Sequence, residues 1–148
     1  MLPKTHIFLG AIISFFILMI FPQIGWLNAL IIFLSSVILD VDHCLYYAVK
    51  KRDLSLKRAY SYFVMLRNKG YCNSSLYKQP ILIFHGIEFC LVLLVLSIFS
   101  SFFLWILIGF LIHMVLDYTE AFYFHQSLAS KFSQIYALAR NKNRKELR

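Results

Sequence analysis

The chain has 148 residues, of which 60% are hydrophobic and only 15% are charged, and its formal net charge is +8. Soluble globular domains carry about 25% charged residues, so this composition argues against a soluble fold and predicts a single membrane domain over residues 1–148. The cysteines Cys44, Cys72 and Cys90 are odd in number and far apart, which argues against a disulfide framework and a thiolate zinc site.

Four apolar stretches follow one another, each close to the roughly 20 residues that a helix needs to cross a bilayer. They are Ile7 to Gly25, Trp26 to Val49, Ile81 to Ser101 and Phe102 to Phe124. The connection within each pair is short and uncharged, so the sequence predicts an all-α polytopic membrane protein with four transmembrane helices in two antiparallel hairpins. No small-x-small cleavage site precedes Trp26, and we expect the first helix to be retained.

The 15 Lys and Arg residues occur in three places: Lys4, a basic loop over residues 50–80 and a basic tail over residues 126–148. An even number of helices puts all three on one side, and the positive-inside rule predicts a multi-pass inner-membrane protein with both termini, loop and tail in the cytoplasm. The loop mixes basic and apolar residues, which is typical of an interfacial helix that attracts anionic headgroups. We expect membrane lipids as partners and no specific nucleic acid, because a basic face beside a membrane needs no nucleic acid to explain it.

Eight ionisable side chains fall within or beside the predicted spans, all toward the cytoplasmic side. They are His6, Asp40, Asp42, His43, His85, Glu88, His113 and Asp117. His113 and Asp117 are four residues apart, and His85 and Glu88 are three apart, so each pair is expected to share a helix face. Such spacings let two side chains bind one metal or adjacent metals in a helix bundle.

Charged carboxylates at membrane depth cost about 2.5–3.5 kcal/mol each, and no Lys or Arg lies inside a predicted span. The compensating charge is expected from protons or a bound cation, and the mixture of imidazoles and carboxylates favours a divalent transition metal, first Zn²⁺ and then Mn²⁺ or Fe²⁺, over Ca²⁺. The number of candidates indicates two ions, or one ion whose ligands are held by further residues. The candidate ligands are His6, Asp40, His43, His85, Glu88, His113 and Asp117.

Two carboxylates are candidate catalytic groups. Asp42 lies about 200° around an ideal helix from Asp40, so we expect it to accept a hydrogen bond from a ligating histidine or to act as a general base. Glu88 is the other candidate base for a metal-activated water. Glu120 and His125, at the inner end of the fourth helix, are expected to be solvated and outside the site.

Three of the five glycines stand beside candidate ligands: Gly10, Gly86 and Gly109. Glycine lets helices approach closely and can draw ligands together. The frequent use of glycine in membrane helices is the alternative explanation.

Four short motifs resemble those of one family. They are Thr5-His6-x-x-x-Gly10, Leu39-Asp40-Val41-Asp42-His43, His85-Gly86 and His113-x-x-x-Asp117. In this order they resemble the predicted membrane-bound metal-dependent hydrolases, the group that includes LexA-regulated bacterial inner-membrane proteins. Those relatives usually carry a longer His-Arg-Gly-x-Thr-His-Ser type segment where this chain has Phe84 to Glu88. A more distant likeness to zinc phospholipases C and P1-type nucleases implies phosphoester hydrolysis.

The leading hypothesis is therefore a metal-dependent hydrolase acting at the cytoplasmic face on a lipid or other phosphoester. Two alternatives stay open. A metal or proton transporter also uses intramembrane histidines and carboxylates, although the outer halves of all four predicted helices lack them. A non-catalytic scaffold would use the metal only to fix the bundle.

Overall fold

The computed structural model describes residues 3–68, 77–123 and 132–145, and these form helices joined by short turns. Within those ranges the chain is all-α, as predicted, and an isolated bridge between Tyr77 and Lys145 is the β-type pairing present. Cys72 and His125 lie outside the described residues, as do parts of the basic loop and tail. The helices are α1 (Pro3–Ile20), α2 (Gly25–Ile38), α3 (Val41–Lys51), α4 (Leu56–Asn68), α5 (Ile87–Phe99), α6 (Ser101–Tyr123) and α7 (Gln134–Asn141).

Two helical runs are long and apolar enough to cross a membrane: Pro22–Lys51, with 30 residues, and Ser101–Tyr123, with 23. The apolar helices α1 and α5 are shorter. The predicted second span, Trp26 to Val49, contains a turn at Leu39 and Asp40 that separates α2 from α3, where the N–H of His43 bonds the carbonyl of Asp40 at 3.2 Å. The prediction for the third span was wrong at its start, because α5 begins at Ile87 and not at Ile81.

The described chain divides into two compact units, the first of which comprises Met1–Leu39 and Glu88–Glu120. In this unit α1 packs against α2 at Gly10, where an added Cβ would lie 2.5 Å from Ser36 Oγ. In α6, an added Cβ on Gly109 would collide with the carbonyl oxygen of Ile32 and with Ser35 Oγ. The close-approach role predicted for these two glycines is confirmed.

The first unit buries a group of polar side chains beside apolar ones, and it exposes many large apolar side chains. Its buried side chains include His6, Ser14, Ser36, His113 and Asp117. Large apolar side chains are exposed on all four of its helices, among them Phe8, Phe15, Phe16, Trp26, Leu30, Leu34, Leu91, Leu94, Ile98, Phe102 and Leu111. Because a contiguous exposed apolar surface is unusual for a soluble monomer, this distribution is typical of helices surrounded by lipid.

The second unit comprises Asp40–Ile87 and Ala121–Arg148, and Asp53 organises the turn between α3 and α4. Its carboxylate accepts hydrogen bonds from the N–H of Ser55 at 3.0 Å and from Tyr47 at 2.9 Å, and it pairs with the guanidinium of Arg58 at 2.6 Å. The Ser55 N–H and the Arg58 guanidinium lower the pKa of the Asp53 carboxyl below its usual value. Arg52, which ends α3, has a left-handed backbone with φ 52°.

Helix α7 holds the non-helical segment that precedes α5. The side-chain amide of Gln134 accepts from the N–H of Leu82 at 2.9 Å and donates to the carbonyl of His85 at 2.6 Å. Asn141 makes the same pair of bonds to the backbone of Gln79, at 2.8 and 2.9 Å. These bonds satisfy backbone groups of a segment in which residues 81–86 are not helical.

Candidate metal centres

The predicted site residues occur in both units, and the histidines and aspartates form one cluster in each. We call Asp40, Asp42, His43 and His85, in the second unit, the Asp42 cluster. We call His6, His113 and Asp117, in the first unit, the His113 cluster.

Asp42 is the buried centre of the Asp42 cluster, with 2% of its surface exposed. It lies in the first turn of α3, and its Oδ2 accepts from the N–H of Phe84 at 3.1 Å and lies 2.9 Å from Nδ1 of His85. Its Oδ1 lies 3.1 Å from Nδ1 of His43. Within the described residues Asp42 thus contacts two imidazoles and a backbone N–H, and no Lys or Arg side chain.

The contact with Asp42 fixes the tautomer of His85. An ionised carboxylate can only accept hydrogen bonds, so Nδ1 of His85 carries the proton and Nε2 keeps a lone pair. A carboxylate behind the imidazole of a metal ligand is the usual way in which proteins orient that ring. This is the acceptor position that the sequence predicts for Asp42.

Asp40, His43 and His85 each offer one ligand atom, and these three atoms lie within 4.8 Å of one another. Asp40 Oδ1 is 3.6 Å from Nδ1 of His43 and 3.9 Å from Nε2 of His85. Ligand atoms bound to one ion at about 2.1 Å in a tetrahedron lie about 3.4 Å apart, so the two distances from Asp40 need to shorten by only a few tenths of an ångström. Two imidazoles and one carboxylate fit a divalent transition metal.

The accessible side of the Asp42 cluster is formed by Asp40 and His43. Their side chains are 15% and 25% exposed, whereas Asp42 and His85 are nearly fully buried. The His43 ring also packs edge-on against Phe63 of α4, with ring centroids 4.7 Å apart. A metal held here would have its open coordination positions on the side of Asp40 and His43.

In the His113 cluster, α1 supplies His6 and α6 supplies His113 and Asp117. The two imidazoles stack with centroids 4.2 Å apart, and Nε2 of His6 lies 3.2 Å from Oδ1 of Asp117. Nδ1 of His113 donates to the carbonyl oxygen of Ser36 at 2.8 Å, which leaves Nε2 as the ligand atom. Ligand atoms of His113 and Asp117 lie within 4.8 Å of each other, so the shared face predicted for this pair is present.

Three expectations about other residues have different outcomes. His85 precedes α5, so the helical spacing that paired it with Glu88 was wrong. Glu88 is half-buried in the first turn of α5 and belongs to none of the candidate metal groups among the described residues, and its catalytic role stays a prediction. Glu120 is only 9% exposed, so the expectation of a solvated residue was wrong.

Sequence reasoning missed the residues that hold the clusters in place. Ser36 acts through its backbone carbonyl, which leaves no side-chain signal in the sequence. Gln134 and Asn141 did leave one, because two amides seven residues apart fall on one helix face and differ from the basic residues around them.

Comparisons with protein-family models, with curated proteins and with solved structures give no match for this chain. The resemblance to membrane-bound hydrolases therefore stays a prediction from short motifs. The geometry carries a coarser conclusion, that buried His and Asp side chains can hold a metal ion.

Proposed function

We propose that the chain is a membrane-bound, metal-dependent hydrolase that acts on a lipid or other phosphoester through the Asp42 cluster. One observation carries the proposal: the ligand atoms of Asp40, His43 and His85 lie within 4.8 Å of one another, in front of the buried carboxylate of Asp42. The resemblance to membrane-bound hydrolases is in accord with this reading.

The proposal includes four membrane-crossing segments, with both termini in the cytoplasm. The exposed apolar side chains of the first unit support it, as does the absence of charge from the connections at residues 21–25 and 97–101. Helix α5 has 13 residues and is about 20 Å long, which is less than the thickness of the hydrocarbon core, so the non-helical segment before it shares this crossing. The bonds from Asp42 and Gln134 satisfy the backbone before α5, as a low-dielectric setting requires.

In this mechanism Asp40, His43 and His85 would hold the metal, which when bound would supply Lewis acidity toward a phosphoryl oxygen and toward water. Asp42 is a positioning residue, because it keeps the proton on Nδ1 of His85 and so keeps Nε2 available. The proton released from that water would pass to one of the two predicted bases, Asp42 or Glu88.

An anionic substrate fits the charge of the second unit. Lys50 and Lys51 end α3, and Lys57 and Arg58 begin α4, the helix whose Phe63 packs on His43. Basic residues near a site raise the local concentration of an anionic substrate such as a phosphoester.

The test measures metal per chain by elemental analysis of the full-length protein, and its metal-dependent hydrolysis of phosphodiesters and phospholipids. We expect at least one transition-metal ion per chain, lost in Asp40→Asn and His85→Ala. The matched control is Asp53→Asn, which removes a carboxylate of the same unit that lies outside the cluster. A metal-replete wild-type protein without bound metal, or an Asp40→Asn variant with full metal and activity, contradicts the proposal.

The variant Asp117→Asn in the His113 cluster distinguishes the scaffold alternative from our proposal. A purely structural metal predicts that this variant fails to fold. In our proposal the variant stays folded, since Asn can still accept from His6, and it keeps the metal of the Asp42 cluster and its activity. Circular dichroism and metal analysis on one sample decide between the two.

Transport is a second candidate that one observation favours. Ser14 is buried, and its hydroxyl has no hydrogen-bond partner among the described residues, two turns from His6 on the same face of α1. A polar stripe of this kind can continue an ion path away from the His113 cluster. Metal-driven fluorescence changes inside proteoliposomes, abolished by Ser14→Ala without loss of hydrolysis, would favour transport.

A further inference from the structure

Helix α7 has two different faces. Gln134, Ala137 and Asn141 share one face, where Ala137 and Asn141 are buried and the two amides bond the segment before α5. Because these bonds are at both ends of the helix, they fix its rotation about its own axis. The opposite face is therefore presented outward in a defined way.

The outward face carries a stripe of large apolar side chains. Ile135 and Leu138 are three residues apart on α7 and are 69% and 55% exposed, and Phe132, which precedes the helix, is 53% exposed. Ser133 caps the helix by accepting a bond from the N–H of Tyr136, so Ile135 and Leu138 lie on a properly started helix. Exposed apolar side chains at this density mark a surface that contacts something other than water.

The charge around the stripe has one sign. Residues 132–145 contain Arg140, Lys142, Arg144 and Lys145 and no acidic residue. A short helix with an apolar stripe and basic flanks is the type that lies in the headgroup region of an anionic bilayer. Each basic residue near such a surface is attracted by the anionic lipids, whereas a second copy of the same basic face would be repelled.

We propose that α7 docks on the anionic lipid headgroup surface with Phe132, Ile135 and Leu138 inserted. The proposal rests on the membrane location in the proposed function and goes beyond it, because it assigns the basic tail a lipid-binding helix. Docking would also bring lipid to the helix that holds the backbone of His85.

The test places a nitroxide label on the full-length protein in nanodiscs, after Cys44, Cys72 and Cys90 are replaced by serine. One label is at Leu138→Cys, and a second, independent one is at Ile135→Cys. The label at Asn143→Cys, an exposed polar position, is the water reference. The label at Leu111→Cys, an exposed apolar position of α6, reports whether that helix lies in lipid.

We expect the labels at Leu138 and Ile135 to be accessible to oxygen and shielded from a water-soluble nickel complex in discs that contain phosphatidylglycerol. Replacing Arg140, Lys142 and Lys145 with glutamine should weaken the docked state by roughly fivefold per residue, and phosphatidylcholine discs should weaken it in the same direction. Arg144 is left intact because it bonds the carbonyl of Tyr77.

Three outcomes overturn the proposal, and they differ in what they imply for the membrane location and for the partner of this face. In the first outcome, the labels at Leu138 and Ile135 are as accessible to the nickel complex as the label at Asn143, while the label at Leu111 lies in lipid. This outcome leaves the membrane location intact. A wet label at Leu111 overturns the membrane location as well. Dipolar broadening between labels of two chains shows that a second copy covers this face.

Discussion

Asp42 Oδ2 lies 2.9 Å from Nδ1 of His85, a residue 43 positions later in the chain. The same oxygen accepts the N–H of Phe84 at 3.1 Å, so one carboxylate orients an imidazole and holds the backbone that carries it. Both effects come from a residue that need not touch a metal. The geometry of the candidate metal site therefore depends on the single buried carboxylate of Asp42.

Replacing Asp42 by asparagine should lower metal affinity by about 10–100-fold. The side chain keeps its shape, but its new NH₂ group turns a donor toward donors on Phe84, His85 or His43. Competition with a metallochromic chelator on the purified protein measures the change. Asp53→Asn is the control, and an Asp42→Asn variant that binds metal as tightly as that control would remove Asp42 from its positioning role.

The second prediction concerns the hydrogen bonds from Gln134 of α7 to the segment before α5. Gln134→Ala removes two bonds, to Leu82 and to His85, and should destabilise this segment by about 2 kcal/mol. Gln134→Glu keeps an acceptor for the Leu82 N–H and loses the donor to the His85 carbonyl. Amide hydrogen exchange should therefore accelerate at Leu82 in the alanine variant and much less in the glutamate variant. Equal acceleration in both variants would mean that the bond from Gln134 to the carbonyl of His85 holds this segment in place, and that the bond from the Leu82 N–H does not.

The sequence predicted those features that depend on residues close together in the chain. The all-α class follows from the long apolar runs, and the pairing of His113 with Asp117 follows from their spacing of four on α6. The close approach at Gly109 follows from the lack of a side chain beside a polar residue in an apolar helix.

The features that sequence reasoning got wrong depend on residues far apart. Residues 81–86 are not helical, and the carbonyl of His85 is bonded by Gln134, 49 positions later in the chain. Local hydrophobicity cannot reveal such a partner, so Ile81 to Gly86 looked like the start of a span. The buried state of Glu120 is likewise a property of its tertiary environment.

The glycines of the first unit make a third prediction. Gly109→Ala should destabilise the protein by about 1–3 kcal/mol, because the new Cβ meets the backbone carbonyl of Ile32, which cannot move alone. Gly10→Ala should cost less, since it meets only the Ser36 hydroxyl, and Ser36→Ala in the same chain should recover part of the loss. Thermal unfolding in detergent measures the loss of stability in each variant and so gives their order. Equal losses for the two glycines would contradict the packing described here.

The turn between α3 and α4 should weaken at acid pH. The pKa of Asp53 is lowered in the folded chain by the Ser55 N–H and then by Arg58, so its stabilising contribution is present above the unfolded value of about 3.9. It is lost as pH falls through the lower folded pKa, because protonation removes the negative charge that strengthens the bonds from both partners. Hydrogen exchange of the Ser55 amide, corrected for its intrinsic rate, should show lost protection below about pH 4 in the wild type. Asp53→Asn should show weak protection at every pH, whereas a variant with the wild-type pH profile would assign the transition to another group.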